Sequence, residues 1–265
     1  MKQLLACIVA VSVLAAPAIA QGVDAATQAK LDLASRIGME LYAQDQSAWH
    51  VTDELLERLR ESEKQLAFAY VTERIDAEHI QTTFLLAGDA GPTVFFSGVT
   101  KGSDVVSTED HRSEAVRPGA TPAQIARLNA LDAARDFFSK GLCGQRPNII
   151  VLPSDAAGAF DAYALVPEAR ADTIQFGGHV RVTIDREGRV VPDSRKDYSN
   201  SCLAVKVDSR SAATMVTVPP NIGDTPTPIH VFASLTHRIP VFVGTSTGAW
   251  EVDGGAIKPL AAKAN

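Results

Sequence analysis

The sequence predicts an α+β fold: antiparallel β-sheet meanders combined with a long N-terminal helix (or helix pair) and a central amphipathic helix. Three observations carry that expectation. Apolar residues recur at helical spacing from 24 to about 60, and again from 121 to about 140. Short runs rich in β-branched and aromatic residues, punctuated by Gly, Pro and Asp, fill the stretches between and after. Helices segregated from runs of neighbouring strands argue for antiparallel sheet rather than a parallel βαβ arrangement.

The first twenty residues read as an export signal. Lys2 supplies a positive start, Leu4 to Ala16 an almost unbroken apolar run, Pro17 a helix break, and Ala18-Ile19-Ala20 the small-x-small pattern that a signal peptidase fits. A spanning helix needs about 20 apolar residues, and this run is shorter. Cys7 precedes most of the apolar run, so lipidation is rejected and the mature chain is expected to start at Gln21. Residues 21–265 then form the exported body, as one domain or two intimately packed halves with a boundary near 115–121. No later stretch is long and apolar enough to span a membrane, so the expected location is periplasmic or secreted.

Removing residues 1–20 takes Lys2 with it and leaves 24 basic against 31 acidic residues, a net charge of −7. That balance gives no electrostatic support for nucleic acid or anionic lipid as a partner. Cys143 and Cys202 are the cysteines left after cleavage, and in an oxidising compartment they are expected to form a disulfide. Two cysteines cannot complete a zinc site, and no cofactor is implied.

Element by element, Asp24 caps the first helix. Leu31, Ala34, Ile37, Leu41 and Tyr42 form its apolar stripe, resumed by Trp49, Leu55, Leu56 and Leu59. Asp45-Gln46-Ser47 is a candidate break, with Ser47 or Thr52 capping a second helix. Strands are expected at Leu66 to Val71, Ile80 to Leu86 and Val94 to Val99. Lys101 to Pro118 reads as loop, with at most a weak strand at Val105-Val106. Thr121, Pro122 and Gln124 start the central helix with a capping box, Ile125, Leu128, Leu131, Ala134 and Phe138 form its buried face, and Gly141 ends it. Further strands are expected at Asn148 to Leu152, Phe160 to Val166, Thr173 to Ile184 and Thr214 to Val218. The last are Ile229 to Leu235, Ile239 to Val243 and Ala249 to Val252, with a short final strand after Asp253-Gly254. Pro219 to Pro228 carries four prolines and reads as a connection.

Gly244-Thr245-Ser246-Thr247-Gly248 matches the nucleophile pattern G-x-S-x-G. That chemistry needs strand, turn and helix in succession, with a histidine later in the chain. The last histidine, His237, precedes Ser246, so a hairpin loop explains the pattern better. Asp76, Glu78 and His79 with Glu109, Asp110 and His111 offer imidazole and carboxylate ligands of the kind that suits a divalent metal, but no spacing fixes a geometry and a metal site is not expected. Trp49 lies four residues from both Asp45 and Asp53, a carboxylate–aromatic grouping found in sugar sites, though a core role for Trp49 is simpler.

The polar set of greatest interest lies on Gly177 to Ile184. Strict alternation puts Val180, Val182 and Ile184 on one face and His179, Arg181 and Thr183 on the other. If Phe160 to Val166 pairs alongside, Asp161 and Tyr163 join them. Antiparallel sheets often leave such a face in water; on rigid strands the same residues orient an anionic ligand or move a proton. The sequence therefore supports an exported, non-catalytic module that binds an envelope protein or glycan. The alternative is a hydrolase-like enzyme or small-ligand binder that uses His179, Tyr163 and Arg181. No oligomeric state is specified by the sequence.

Overall fold

A computed structural model describes residues 23–260 except 62, 64, 65, 67 and 209. The expected export signal, including Lys2, Cys7 and the expected cleavage point before Gln21, lies outside the described residues, as does part of the expected Leu66 to Val71 strand.

Helix α1 (Ala25–Arg58) is one unbroken element of 34 residues, about 50 Å long at the usual rise per residue. Asp24 caps it by accepting the Thr27 N–H at 2.9 Å. The candidate break at Asp45-Gln46-Ser47 does not occur; polar side chains of this stretch bond across to strand residues, Asp45 accepting from Asn148 Nδ2 at 2.8 Å. Ser47 Oγ lies 2.9 Å from Thr82 Oγ1, and Gln44 Oε1 accepts from Thr72 Oγ1 at 2.5 Å. The buried face of α1 is accordingly mixed: Leu31, Leu41, Val51 and Leu55 alternate with Gly38, Gln44 and Ser47. Trp49 and Leu56, expected in the core, are 57% and 48% exposed.

Strands β1 (Phe68–Arg74), β2 (His79–Leu86), β3 (Thr93–Lys101) and β4 (Asp104–Asp110) form an antiparallel meander in that order. The C-terminal half of α1 covers it, with Val51 and Leu55 against Phe84, Phe95 and Phe96. β4 is a full strand where a loop was expected. It is an edge strand largely in water, so its charged composition costs nothing and hides the pattern; such charges also protect an edge from stray pairing.

Helix α2 (Pro122–Phe137) starts as the sequence predicts, with Thr121 and Gln124 completing a reciprocal capping box. Leu131, Ala134 and Phe138 are buried as expected, but Gln124, Arg127 and Ala130 are buried with them while Ile125 and Leu128 are only half-buried. Strands β5 (Asn148–Pro153), β6 (Phe160–Leu165), β7 (Thr173–Gln175), β8 (Val180–Ile184), β9 (Lys196–Asp197) and β10 (Ala204–Lys206) follow. β5-β6-β8-β9 make a second antiparallel sheet, and β7 pairs separately with β10. The single strand expected from Thr173 to Ile184 is thus two strands. The chain turns at Gly177-Gly178, where a Cβ on Gly177 would meet the Leu203 nitrogen and the Ser201 oxygen at 2.1 Å. Only glycine allows this backbone-to-backbone approach.

The remainder comprises β11 (Thr214–Thr217), α3 (Pro228–His237), β12 (Val241–Thr245), β13 (Gly248–Asp253) and β14 (Ala256–Pro259). The strand expected at Ile229 to Leu235 is the helix α3. Thr227 precedes it with extended backbone and Pro228 occupies its first turn, the same entry chemistry as Thr121-Pro122. β11 and β12 pair in parallel, the one exception to antiparallel pairing in the described sheets, while β12, β13 and β14 form a meander.

The β5-β6-β8-β9 sheet is covered on both faces. Ala130, Leu131 and Phe138 of α2 pack on Val180, Val182 and Ile184. Leu41 of α1 and Ile229 of α3 pack with Ile150, Leu152, Tyr163 and Leu165 on the opposite face. Cys143 and Cys202 are disulfide-bonded, as expected, with Cα atoms 5.6 Å apart. Among the described residues no helix is long and apolar enough to cross a membrane.

Candidate ligand-binding cleft

The antiparallel register of β6 and β8 sets Asp161 opposite Thr183 and Tyr163 opposite Arg181, so the expected side-by-side pairing is present. Asp161 anchors the group. One carboxylate oxygen accepts from Thr183 Oγ1 at 2.7 Å and the other from Arg181 Nη1 at 3.1 Å. Tyr163 is 1% exposed and lies near-parallel to Tyr198, ring centroids 6.4 Å apart. Burial pushes its hydroxyl pKa up to about 12, with the Asp161 charge adding to the effect. Tyr198 is raised for the same first reason. The Lys196 ammonium sits 5.6 Å from the centre of the Tyr198 ring, and its pKa is lowered by desolvation and then by the like charge of Arg181.

α1 crosses this sheet face without filling it. Two adjoining cavities remain, about 330 Å³ and about 490 Å³, and both are walled by Leu33, Ile37, Tyr163 and Arg181. The smaller is closed by Lys30, Lys196, Tyr198 and the Ile222–Pro228 segment. The larger extends to Glu40, Arg74, Arg127 and Asp155. Together they form a cleft of a size that small ligands occupy. A further cavity of about 760 Å³ lies past the C-terminal end of α2, beside Arg135, Lys140 and Arg146; all three of these are exposed.

Two guanidinium groups in the cleft wall carry buried donors with no hydrogen-bond partner among the described residues: Arg127 Nη1 and Arg181 Nε. Arg127 is 8% exposed, lies over the Phe160 ring at 5.6 Å, and reaches Glu73 only at 3.5 Å. Such unsatisfied charged donors are uncommon, because each costs about 1–3 kcal/mol or more unless something occupies it.

His179 does not join the group. It precedes β8, is 3% exposed, and spends both ring nitrogens on backbone. Nδ1 accepts the Val166 N–H at 3.0 Å, so Nε2 carries the proton and donates to the Gln175 carbonyl at 2.9 Å. Burial pushes its pKa down to about 4. His179 is a neutral structural clamp on the turn between β7 and β8, neither a wet-face residue nor a ligand contact in the cleft.

The other candidates fall elsewhere. His79 pairs with Asp76 and His111 with Glu114, and the β2-β3-β4 register puts the two clusters at opposite ends of their sheet, His79 opposite Lys101 and Glu109 opposite Ser97. Among the described residues no three His, Cys, Asp or Glu side chains are arranged to hold a metal. Ser246 sits at the exposed tip of the β12–β13 hairpin. Trp49 faces out and stacks on His50 at 5.2 Å, whereas Asp45 turns inward to accept from Asn148 Nδ2 at 2.8 Å, so no carboxylate pair frames the indole.

Sequence reasoning missed Arg127, Lys196 and Tyr198. Only Arg127 left a signal: it stands four residues before Leu131 and seven before Ala134, which places a charge on the helix's buried face. A comparison with known proteins finds no family model that matches the chain, no similar curated protein and no similar solved structure. The chemistry of the cleft is therefore what bears on function.

Proposed function

We propose that the chain is an exported, non-catalytic binding module that holds a small ligand in the cleft between α1 and the β5-β6-β8-β9 sheet. Export is supported by the signal-peptide pattern of residues 1–20 and by the Cys143–Cys202 bond, which suits an oxidising compartment. The observation that supports binding over catalysis is the state of the polar groups. Arg181 and Asp161 are locked to each other, the Tyr163 proton is held tightly, and His179 faces backbone. A general acid or base works best with a pKa near the operating pH, and neither Tyr163 nor His179 supplies one.

The test is native mass spectrometry of the mature protein drawn from its own envelope fraction, beside a cleft-filling Ile37→Trp variant. A small-molecule adduct carried by the wild type and missing from the folded variant supports the reading. Adduct-free wild type that also retains nothing on dialysis against envelope extract removes it. A retained compound that is chemically converted would make the protein an enzyme.

One observation favours a second reading, an envelope protein or glycan partner. Trp49 and Leu56 stand seven residues apart on the outer face of α1 and are both exposed. Cross-linking in the envelope through position 49 would capture such a partner.

A further inference from the structure

We propose that the cleft accepts a ligand bearing an oxyanion, a carboxylate or a phosphate, bound by the guanidinium groups of Arg127 and Arg181, with an apolar remainder against Leu33 and Ile37. The inference rests on the cleft reading above and names its ligand class.

The donors come first. Arg127 and Arg181 both wall the larger cavity, and each keeps one buried N–H, Arg127 Nη1 and Arg181 Nε, without a partner among the described residues. A planar guanidinium with unused N–H groups matches the paired oxygens of a carboxylate or phosphate.

The charge of the walls agrees. The chain as a whole carries −6, yet its cleft is lined by Lys30, Arg36, Arg74, Arg127, Arg181 and Lys196 against Glu40, Asp155, Asp161 and Asp224. Three of those carboxylates are already committed: Glu40 to Arg74, Asp161 to Arg181, and Asp224 to Lys30. Arg36 and Lys196 form no ion pair among the described residues, and the pKa of Lys196 is lowered by desolvation and then by the like charge of Arg181. Like charges gathered around a void are stabilised by an anion inside it. Ile37 and Leu33, which wall both cavities, supply the apolar side.

The probes are sodium benzoate, inorganic phosphate and the neutral isostere benzamide, titrated into the mature protein and followed by the methyl NMR signal of Ile37. Benzoate or phosphate is expected to shift Ile37 saturably, benzamide to bind at least about tenfold more weakly, and Arg181→Gln or Arg127→Gln to weaken the anion by about tenfold. A benzoate response identifies a carboxylate source, and a response to phosphate alone identifies a phosphate source. Benzamide binding as well as benzoate, or anion binding untouched by both variants, overturns the oxyanion inference and leaves the cleft reading standing. Silence with all three probes overturns both. Should R127Q fail to fold, Lys196→Gln on the rim carries the test: a roughly threefold or greater loss of benzoate affinity supports the proposal and an unchanged affinity sinks it.

Discussion

The Nδ1 of His179 accepts the backbone N–H of Val166 at 3.0 Å, and the Nδ1 of His230 accepts that of Thr227 at 2.9 Å. Both imidazoles are buried and held neutral, with pKa pushed down to about 4 by desolvation. The unfolded chain binds these protons from about pH 6.5 downward, whereas the folded chain resists until about pH 4. The stability that depends on neutral histidine is thus complete above pH 6.5 and is lost as pH falls towards 4. The loss is roughly 2–4 kcal/mol per histidine. Denaturant midpoints measured at pH 7, 5.5 and 4.5 should fall steadily, and His179→Gln should flatten part of the slope. The Asp76 carboxylate does not mimic the window, because its pKa is drawn down to about 2 by backbone and His79 hydrogen bonds, and Asp45, whose pKa burial raises, acts with the opposite sign. A flat profile between pH 6.5 and 4.5 would remove the clamp role from both histidines.

Asp161 holds two neighbours at once, Arg181 and Thr183. Replacing it by Ala strands the Arg181 charge, whose Nε already lacks a partner. A removed partner in a buried network costs more than the bond itself contributes, but Arg181 is partly open to water, so the expected loss is about 1–3 kcal/mol. Asp161→Asn keeps an acceptor for Thr183 and should cost less. Equilibrium unfolding of the two variants decides the matter: equal losses would mean that the charge on Asp161, which both variants remove, carries the whole effect and that the acceptor kept for Thr183 contributes nothing.

Gly38 of α1 packs directly against the first turn of α3. A Cβ there would lie 2.5 Å from Val231 Cβ and 2.6 Å from the Pro228 carbonyl oxygen. Helix propensity alone favours alanine by about 1 kcal/mol. Overpacking against a neighbouring backbone costs about 1–3 kcal/mol or more, and the Pro228 carbonyl cannot rotate away. Gly38→Ala should therefore lower the thermal midpoint. A rise would show that α3 shifts freely along α1.

Local chemistry was the legible part of this chain. Thr121-Pro122 with Gln124 fixed the start of α2 because the signal is contained in four adjacent residues. The same Thr-Pro entry at 227–228 was read as the end of a proline-rich connection, and the β-branched residues after it read as strand; packing against α1 and β12–β13 makes them helix. β4 escaped because an edge strand in water needs no apolar alternation. The partnering of Asp161, Tyr163, Arg181 and Thr183 followed from strand period two, once β6 and β8 were set side by side. What periodicity could not reveal was the cover: α1 and α3 turn the expected wet face into cleft walls, and the Gly177-Gly178 turn carries His179 off the strand. Arg127 reaches the cleft from a helix outside that sheet, a relationship between residues far apart in sequence that only the tertiary fold creates.

The Cys143–Cys202 bond ties the loop after α2 to the segment that builds the narrow end of the cleft. It spans 59 residues, and chain-entropy reasoning assigns such a closure about 4 kcal/mol. The effect should also be local. Tyr198 and Lys196 of the cleft wall lie just before Cys202, and Gly178, against which Cys143 packs at 2.2 Å from an ideal Cβ position, leads directly into His179. With Cys143→Ser and Cys202→Ser combined, the turn and the 196–206 segment lose their tether while the α1-covered β1–β4 sheet keeps its own core. Hydrogen exchange should therefore accelerate first at 177–179 and 196–206, at a denaturant concentration that leaves β2 and β3 protected. Uniform acceleration across the chain would mean that the bond acts only on the unfolded ensemble, and that the cleft wall is held by packing alone.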